Sequence, residues 1–375
     1  MSCKERVRAA VEARREEVND AIDEQLPLAR PERLYEASRY LLTAGGKRLR
    51  PTLLLLVAEA LTDTDPQTQP YRSFPDLTDE PVDLMSGAVS IEVIQSFTLI
   101  HDDIMDDDDL RRGVPSVHRE YDVGTAILAG DTLYSKAFEY MLETGAPADR
   151  QVRALDELAT TCTEICEGQA FDVEFEGRGD VTTDEYMEMV ELKTAVLYAA
   201  AAAIPAILLG ADDETVDALH QYGIDIGRAF QIHDDVLDLT TPSEKLGKQR
   251  GSDLVEGKRT AITLHAREQG VDIESLVDTD DPEAVTEATI DEAVAELESA
   301  GSIQFASDLA AEHVENGKQR PQRRPDNAPR PLLEGIADIL ITRWSLRLTH
   351  ALLAPARQVP RMDEDPRETV ARPAD

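Results

Sequence analysis

The chain has 375 residues, 42% of them hydrophobic, and carries 75 acidic against 38 basic residues, a formal charge of −37 at neutral pH. An acid excess of this size, spread along the whole chain, excludes nucleic acid and an anionic membrane surface as partners. With Arg far outnumbering Lys, the pattern fits a halophile's surface, kept hydrated in strong brine by carboxylates.

Three cysteines show neither a disulfide framework nor zinc-ligand spacing, so a reducing cytoplasm is the expected setting, with Cys162 and Cys166 as buried packing residues. No apolar segment follows Met1-Ser2-Cys3-Lys4, so no signal peptide is expected. The longest apolar run, Ala195 to Gly210, contains Pro205 and is short of the roughly 20 residues of a membrane span. It reads as a helix inside the protein.

In chain order, a charged, helix-periodic stretch from Lys4 to Leu26 stops at Pro27, and a second helix covers Leu34 to Ala44. Gly45-Gly46 ends that helix, and Lys47-Arg48-Leu49-Arg50-Pro51 opens the next, which is strongly apolar from Leu53 to Leu61. Residues 62–81, rich in Asp, Thr and Pro, read as a long loop. Helices are predicted over Val82–Asp106, Val123–Leu142, Asp149–Gly168, Asp184–Leu209 and Asp213–Asp238, with a connection at Arg111–His118. Gly247–Gly257 is a glycine-punctuated loop, and Asp272–Asp291 reads as surface loop and weak helix. Leu332–Leu346 is a last helix. The expected organisation is one all-α domain over 1–346, a helical bundle around a central cavity, with a frayed tail at 347–375.

Chemistry concentrates in two stretches of the same design: Gln95 to Asp106, ending His101-Asp102-Asp103-Ile104-Met105-Asp106, and Gln231-Ile232-His233-Asp234-Asp235-Val236-Leu237-Asp238. On a helix, positions i and i+4 share a face, so Asp102 and Asp106 point the same way and Asp103 flanks them. Acids so placed repel unless a cation lies between them, and a hard divalent ion shared with substrate phosphates meets that need. One such stretch alone would pass for a solvated helix end. The repeat suggests two walls of one metal-filled cavity.

On these motifs the chain resembles the trans-isoprenyl diphosphate synthases, the polyprenyl synthetase family, from about Leu41 to Arg343. The resemblance implies the isoprenoid-synthase helical bundle, Mg2+ (a cluster of three, with Mn2+ as an alternative) and a homodimer. It implies head-to-tail transfer of an allylic diphosphate onto isopentenyl diphosphate, the released pyrophosphate taking the proton. Metal ligands would be Asp102, Asp106, Asp172 and Asp234, with Asp103 and Asp235 also in the catalytic set. Lys47 and Arg50 of Gly45-Gly46-Lys47-Arg48-Leu49-Arg50-Pro51, with Gln95 and Arg112, would bind isopentenyl diphosphate. Arg111 and Lys193, with Lys248 and Lys258 around Gly251, would meet the allylic diphosphate.

Gln169 of Gly168-Gln169-Ala170-Phe171-Asp172 and Gln231 would support the metal–phosphate cluster, and Thr194 would face the developing cation. His118 resembles a positioning residue, and His101 and His233 would orient carboxylates. One departure from the family pattern stands between Lys248 and Gly251, where Gln249-Arg250 makes the stretch one residue longer than the common form.

Phe97, five residues before Asp102 and roughly 7.5 Å back along the axis, would block the hydrocarbon tunnel, with Thr98 beside it. One aromatic there with an uninterrupted motif resembles the archaeal geranylgeranyl diphosphate synthases. The alternatives kept open are a farnesyl or C25 geranylfarnesyl product, and a noncatalytic regulatory subunit of a synthase.

Overall fold

The structure, a computed structural model, describes residues 3–62, 64, 69–243, 250–277, 285–320 and 330–340. Its helices are α1 (Cys3–Gln25), α2 (Glu32–Thr43), α3 (Leu49–Thr62), α4 (Leu84–Met105), α5 (Val117–Glu120), α6 (Val123–Leu142), α7 (Ala148–Glu176), α8 (Thr183–Val190), α9 (Val196–Leu209) and α10 (Asp213–Thr240). They continue as α11 (Ser252–Val255), α12 (Ala261–Glu268), α13 (Glu287–Ser299), α14 (Ser302–Gln319) and α15 (Arg330–Leu340). Strands are confined, among the described residues, to two antiparallel hairpins: β1 (Phe74–Pro75) with β2 (Pro81–Val82), and β3 (Leu110–Arg111) with β4 (Val114–Pro115). The expected all-α bundle is what the chain forms.

Short polar side chains start the helices. Asp83 accepts a hydrogen bond from the Ser86 N–H at 2.9 Å, Asp122 from Thr125 at 2.7 Å and Asp212 from Thr215 at 2.7 Å. Thr182 and Thr260 form reciprocal capping boxes with Glu185 and Thr263. Helix α9 is apolar on every side and every residue of it is buried, which places it at the centre, packed by α3, α4, α7 and α10. Helices α4 and α8–α9 are long and apolar enough to cross a membrane, yet 78% and 89% of their most apolar windows lie inside the protein.

Glycines on α10 set its distance from α9. A Cβ on Gly223 would lie 2.3 Å from Ala199 Cα, and one on Gly227 would lie 2.5 Å from Ala195 Cα. Four residues on, Gln231 falls on the same face and is carried against the segment just before α9.

Several sequence expectations change. The helix expected over 184–209 is broken by a π turn at Glu191–Ala195, and the one expected to stop at Gly168 continues to Glu176. The expected 62–81 loop holds β1 and the start of β2, which takes Val82 from the helix expected to begin there. Strand β3 begins at Leu110, just ahead of the expected Arg111–His118 connection, which holds β4 and the start of α5. Helices α12 and α14 are additions to the sequence reading. With α8, α13 and the end of α10 they enclose a second apolar cluster around Tyr186, Ile262 and Leu297. The tail expected at 347–375, and Lys248 with Gln249, lie outside the described residues.

Candidate active site

One cavity of about 1030 Å³ opens between α4, α7, the π turn, α10 and the 252–260 segment. Its wall includes Asp102 and Asp106 from α4, Gln169 and Asp172 from α7, Lys193 and Thr194 from the π turn, and Gln231, Asp234 and Asp235 from α10. Arg50, Gln95, Arg111 and Lys258 are in the polar wall too, together with His101, Asp108, Asp109, Asp253, Glu256 and Arg259, while Phe97, Thr98, Ile165, Leu197 and Phe230 supply apolar surface. The two aspartate stretches, 132 residues apart by first aspartate (234 − 102), therefore face one space.

The π turn presents Lys193 between two acids, its Nζ 2.5 Å from Asp172 Oδ2 and 3.2 Å from Asp102 Oδ1. Burial alone would lower the Lys193 pKa, but Asp102 and Asp172 overcome it and hold the ammonium protonated. Gly168 makes this approach feasible, since a Cβ there would lie 2.2 Å from the Lys193 backbone nitrogen. Opposite, Lys258 reaches Asp106 at 3.3 Å and Glu256 at 3.0 Å, and these acids raise its pKa against the effect of burial. Burial, and then the charge of Asp102, push Asp106 up to about 6.

On α10, the Thr194 hydroxyl donates to Gln231 Oε1 at 2.9 Å, and Gln231 Nε2 donates to Asp235 Oδ1 at 2.9 Å. Tyr186, unmarked by any motif, donates its hydroxyl to Asp235 Oδ2 at 2.6 Å. Burial pushes the Asp235 carboxyl well above its ordinary range.

The remaining candidates divide between the cavity wall and the packing around it. Asp103 is fully buried, with Arg111 Nε donating to it at 2.6 Å, and Arg111 Nη2 also reaches Asp108 at 2.6 Å. Burial lifts Asp103 to about 7 against the pull of Arg111. Arg112 is not in the cavity wall: its Nη1 donates to the carbonyls of Leu41, at 2.8 Å, and Gly45. Lys47 is also outside that wall, close enough to His233 for its charge to help lower the imidazole pKa, after burial.

His101 contacts the Ile127 carbonyl at 3.2 Å and lies 3.9 Å from Asp131 on α6. Its nearest acid is thus outside the motif it precedes. His118 is buried beside Ser116 Oγ at 3.2 Å, away from the cavity. The expected burial of both cysteines holds for Cys162 alone, since Cys166 is exposed on the cavity wall. Phe97 packs edge-on to His101 and Tyr134, with centroids 4.9 and 5.3 Å away. Arg50 stacks its guanidinium on Tyr198 at 4.2 Å.

An all-α bundle whose central cavity sets paired aspartates against lysines and arginines defines the class of helical synthases that act on diphosphate substrates. The chain belongs to the polyprenyl synthetase family, whose model matches residues 31–297. It is 70% identical over 343 residues to the geranylfarnesyl diphosphate synthase of Natronomonas pharaonis, covering 92% of this chain and 99% of that one. It is 49% identical to the geranylgeranyl diphosphate synthase of Methanosarcina mazei, covering 89% and 97%. Among solved structures it resembles the geranylgeranyl pyrophosphate synthetase of Geoglobus acetivorans, with TM-score 0.78, 41% identity and coverage of 89% and 99%. The chain is accordingly a head-to-tail prenyltransferase, and the halophile-like surface agrees with the Natronomonas relative.

Proposed function

We propose that this enzyme condenses isopentenyl diphosphate with an allylic diphosphate to make geranylgeranyl diphosphate. The observation that carries the site assignment is the convergence of Asp102, Asp106, Asp172 and Asp234 on one cavity with Lys193, Lys258 and Arg111.

These four carboxylates would hold Mg2+. All are hard oxygen donors, and Asp102 Oδ1 is buried with no hydrogen-bond partner beyond its ion pair with Lys193, a site suited to a cation. No three acid, imidazole or thiol groups among the described residues cage an ion by themselves, so phosphate oxygens would complete its shell. When bound, the metal supplies Lewis-acid stabilisation of the departing diphosphate, worth several kcal/mol.

Lys193, Arg111 and Lys258 offer fixed positive charge where the C–O bond ionises, without reorganisation at the moment of reaction. Thr194, held by Gln231, is assigned to the allylic carbon as it becomes cationic, and Gln231 in turn is held by Asp235. Asp103 acts one step back, orienting Arg111. Lys47, Arg50, Gln95 and Arg112 are assigned to isopentenyl diphosphate, whose double bond attacks the allylic C1. The proton released from the new chain passes to the departing diphosphate.

Phe97, braced by Tyr134, supports a closed tunnel floor and a C20 product. A second reading, a C25 product, is favoured by the 70% identity to the geranylfarnesyl synthase. The exposed apolar side chains Ile127, Leu128 and Tyr134 on α6 and Val173 on α7 support a homodimer, and the two free described cysteines support a cytoplasmic setting.

The test is incubation of purified enzyme with isopentenyl and allylic diphosphates and Mg2+, in low and molar salt, with product mass as the readout. C20 is the expected result and C25 decides for the second reading. No carbon–carbon bond would overturn both.

A further inference from the structure

Ten residues before Asp102, the middle of α4 carries Glu92, a carboxylate only 3% exposed. It pairs with Arg48 Nη1 and lies 3.8 Å from Arg112 Nη2. Each arginine is also tied to backbone. Arg48 donates from Nη2 to the Leu42 carbonyl at 2.5 Å and from Nε to Asn19 Oδ1 at 2.9 Å, and Arg112 donates to the Leu41 and Gly45 carbonyls.

Both guanidiniums lie against Gly46, where a Cβ would come within 2.9 Å of Arg48 Nη1 and 3.2 Å of Arg112 Cζ. Arg48 (φ 49°) and Arg112 (φ 55°) both adopt the left-handed backbone that side-chain-bearing residues avoid, so surrounding contacts must hold them there.

The neighbours of these arginines matter. Arg50, two residues after Arg48, and Arg111, directly before Arg112, both reach the cavity wall. One buried carboxylate therefore fastens two separate segments, 45–50 and 110–114; Arg50 of the first reaches the cavity, while Arg111 of the second is held there independently by Asp103 and Asp108. Two guanidiniums share this one carboxylate. Burial, followed by repulsion from Arg48, depresses Arg112 to about 10 against the pull of Glu92.

We propose that Glu92 is a positioning residue for the isopentenyl diphosphate site, clamping Arg48 and Arg112 so that Lys47, Arg50 and Arg112 keep the geometry that binds this substrate. The proposal rests on the assignment of those three residues to isopentenyl diphosphate. Removing a buried charge partner leaves the others uncompensated, and here the consequence falls on one substrate rather than on the chemistry.

The experiment is steady-state kinetics on full-length Glu92→Gln, with Arg50→Gln in parallel. Glu92→Gln is expected to raise the KM for isopentenyl diphosphate at least about fivefold, with kcat and the allylic KM within about twofold of wild type. An unchanged isopentenyl KM, or kcat and both KM values drifting together with Tm, would overturn the clamp. Should Glu92→Gln not fold, Arg48→Gln removes the other half of the clamp, and it must show the same split or the proposal fails. If Arg50→Gln leaves the isopentenyl KM untouched, the site assignment itself is wrong. If Arg50→Gln raises it and Glu92→Gln does not, only the clamp is lost.

Discussion

The two aspartate stretches share the string His-Asp-Asp-x-x-Asp, and their surroundings use it differently. In the α4 copy the first and last aspartates, Asp102 and Asp106, face the cavity while Asp103 turns inward to Arg111. In the α10 copy Asp234 and Asp235 reach the cavity, and the last aspartate, Asp238, is buried. Asp238 accepts from Ser252 Oγ at 3.0 Å and the Asp253 N–H at 3.3 Å, holding the start of α11. The positions leading into each motif diverge too. Five residues before the first aspartate stand Phe97 on α4 and Ala229 on α10, and seven before stand Gln95 and Gly227. Helix α4 presents the large side chains of Gln95 and Phe97 to the cavity, whereas α10 gives up bulk at Gly227 to lie against the segment leading into α9. Identical motifs thus carry different duties according to what packs on the helix bearing them.

The contrast can be broken most severely at the cavity-facing aspartates. Asp102→Asn and Asp234→Asn should each lower turnover roughly a thousandfold, since several kcal/mol of charge stabilisation are lost at about 1.4 kcal/mol per tenfold. Product formation under saturating Mg2+ and both substrates checks this, and near-normal turnover in either variant would remove that residue from the metal set.

Phe97→Ala should shift the product to a longer chain, read by mass. Ala229→Phe on the other helix should instead disturb the fold, because Ala229 is fully buried. An unchanged product from Phe97→Ala would dissociate the aromatic from chain length.

Smaller effects are expected from the inward-facing groups. Asp238→Ala leaves the Ser252 hydroxyl and the Asp253 N–H without their acceptor and should destabilise the protein by about 1–3 kcal/mol, with turnover reduced less than about tenfold. Urea denaturation with parallel assays separates the two effects. Tyr186→Phe strips one donor from the buried Asp235 and should cost about 1–2 kcal/mol of stability. A loss of turnover as large as that of Asp234→Asn would place Tyr186 in the chemistry itself.

Much of this was legible in the sequence. Helical periodicity, with few β-branched runs, was enough for the all-α bundle, and the i, i+4 spacing of Asp102 and Asp106 was enough for their common face. Spacing set Asp103 beside the Asp102–Asp106 face but could not show that it is fully buried, because its partner Arg111 is reached through the β3–β4 hairpin. The π turn at Lys193 was hidden for a similar reason: its residues are ordinary helix formers, and Gly168 on another helix allows the close approach. Tyr186 and Glu92 carry no motif, and only packing brings them to Asp235 and to Arg48 and Arg112. Helix α12 spans eight residues, too short for a clear periodic signal, although its Thr260 cap was readable in principle.

The most direct test compares Mg2+-dependent product formation by wild type, Asp234→Asn and Asp238→Asn, with mass spectrometry as the readout. The account predicts a prenyl diphosphate from wild type that disappears on chelation, its near-complete loss in Asp234→Asn, and its persistence in Asp238→Asn. Equal activity in the two variants, or a wild-type product that survives metal removal, would contradict it.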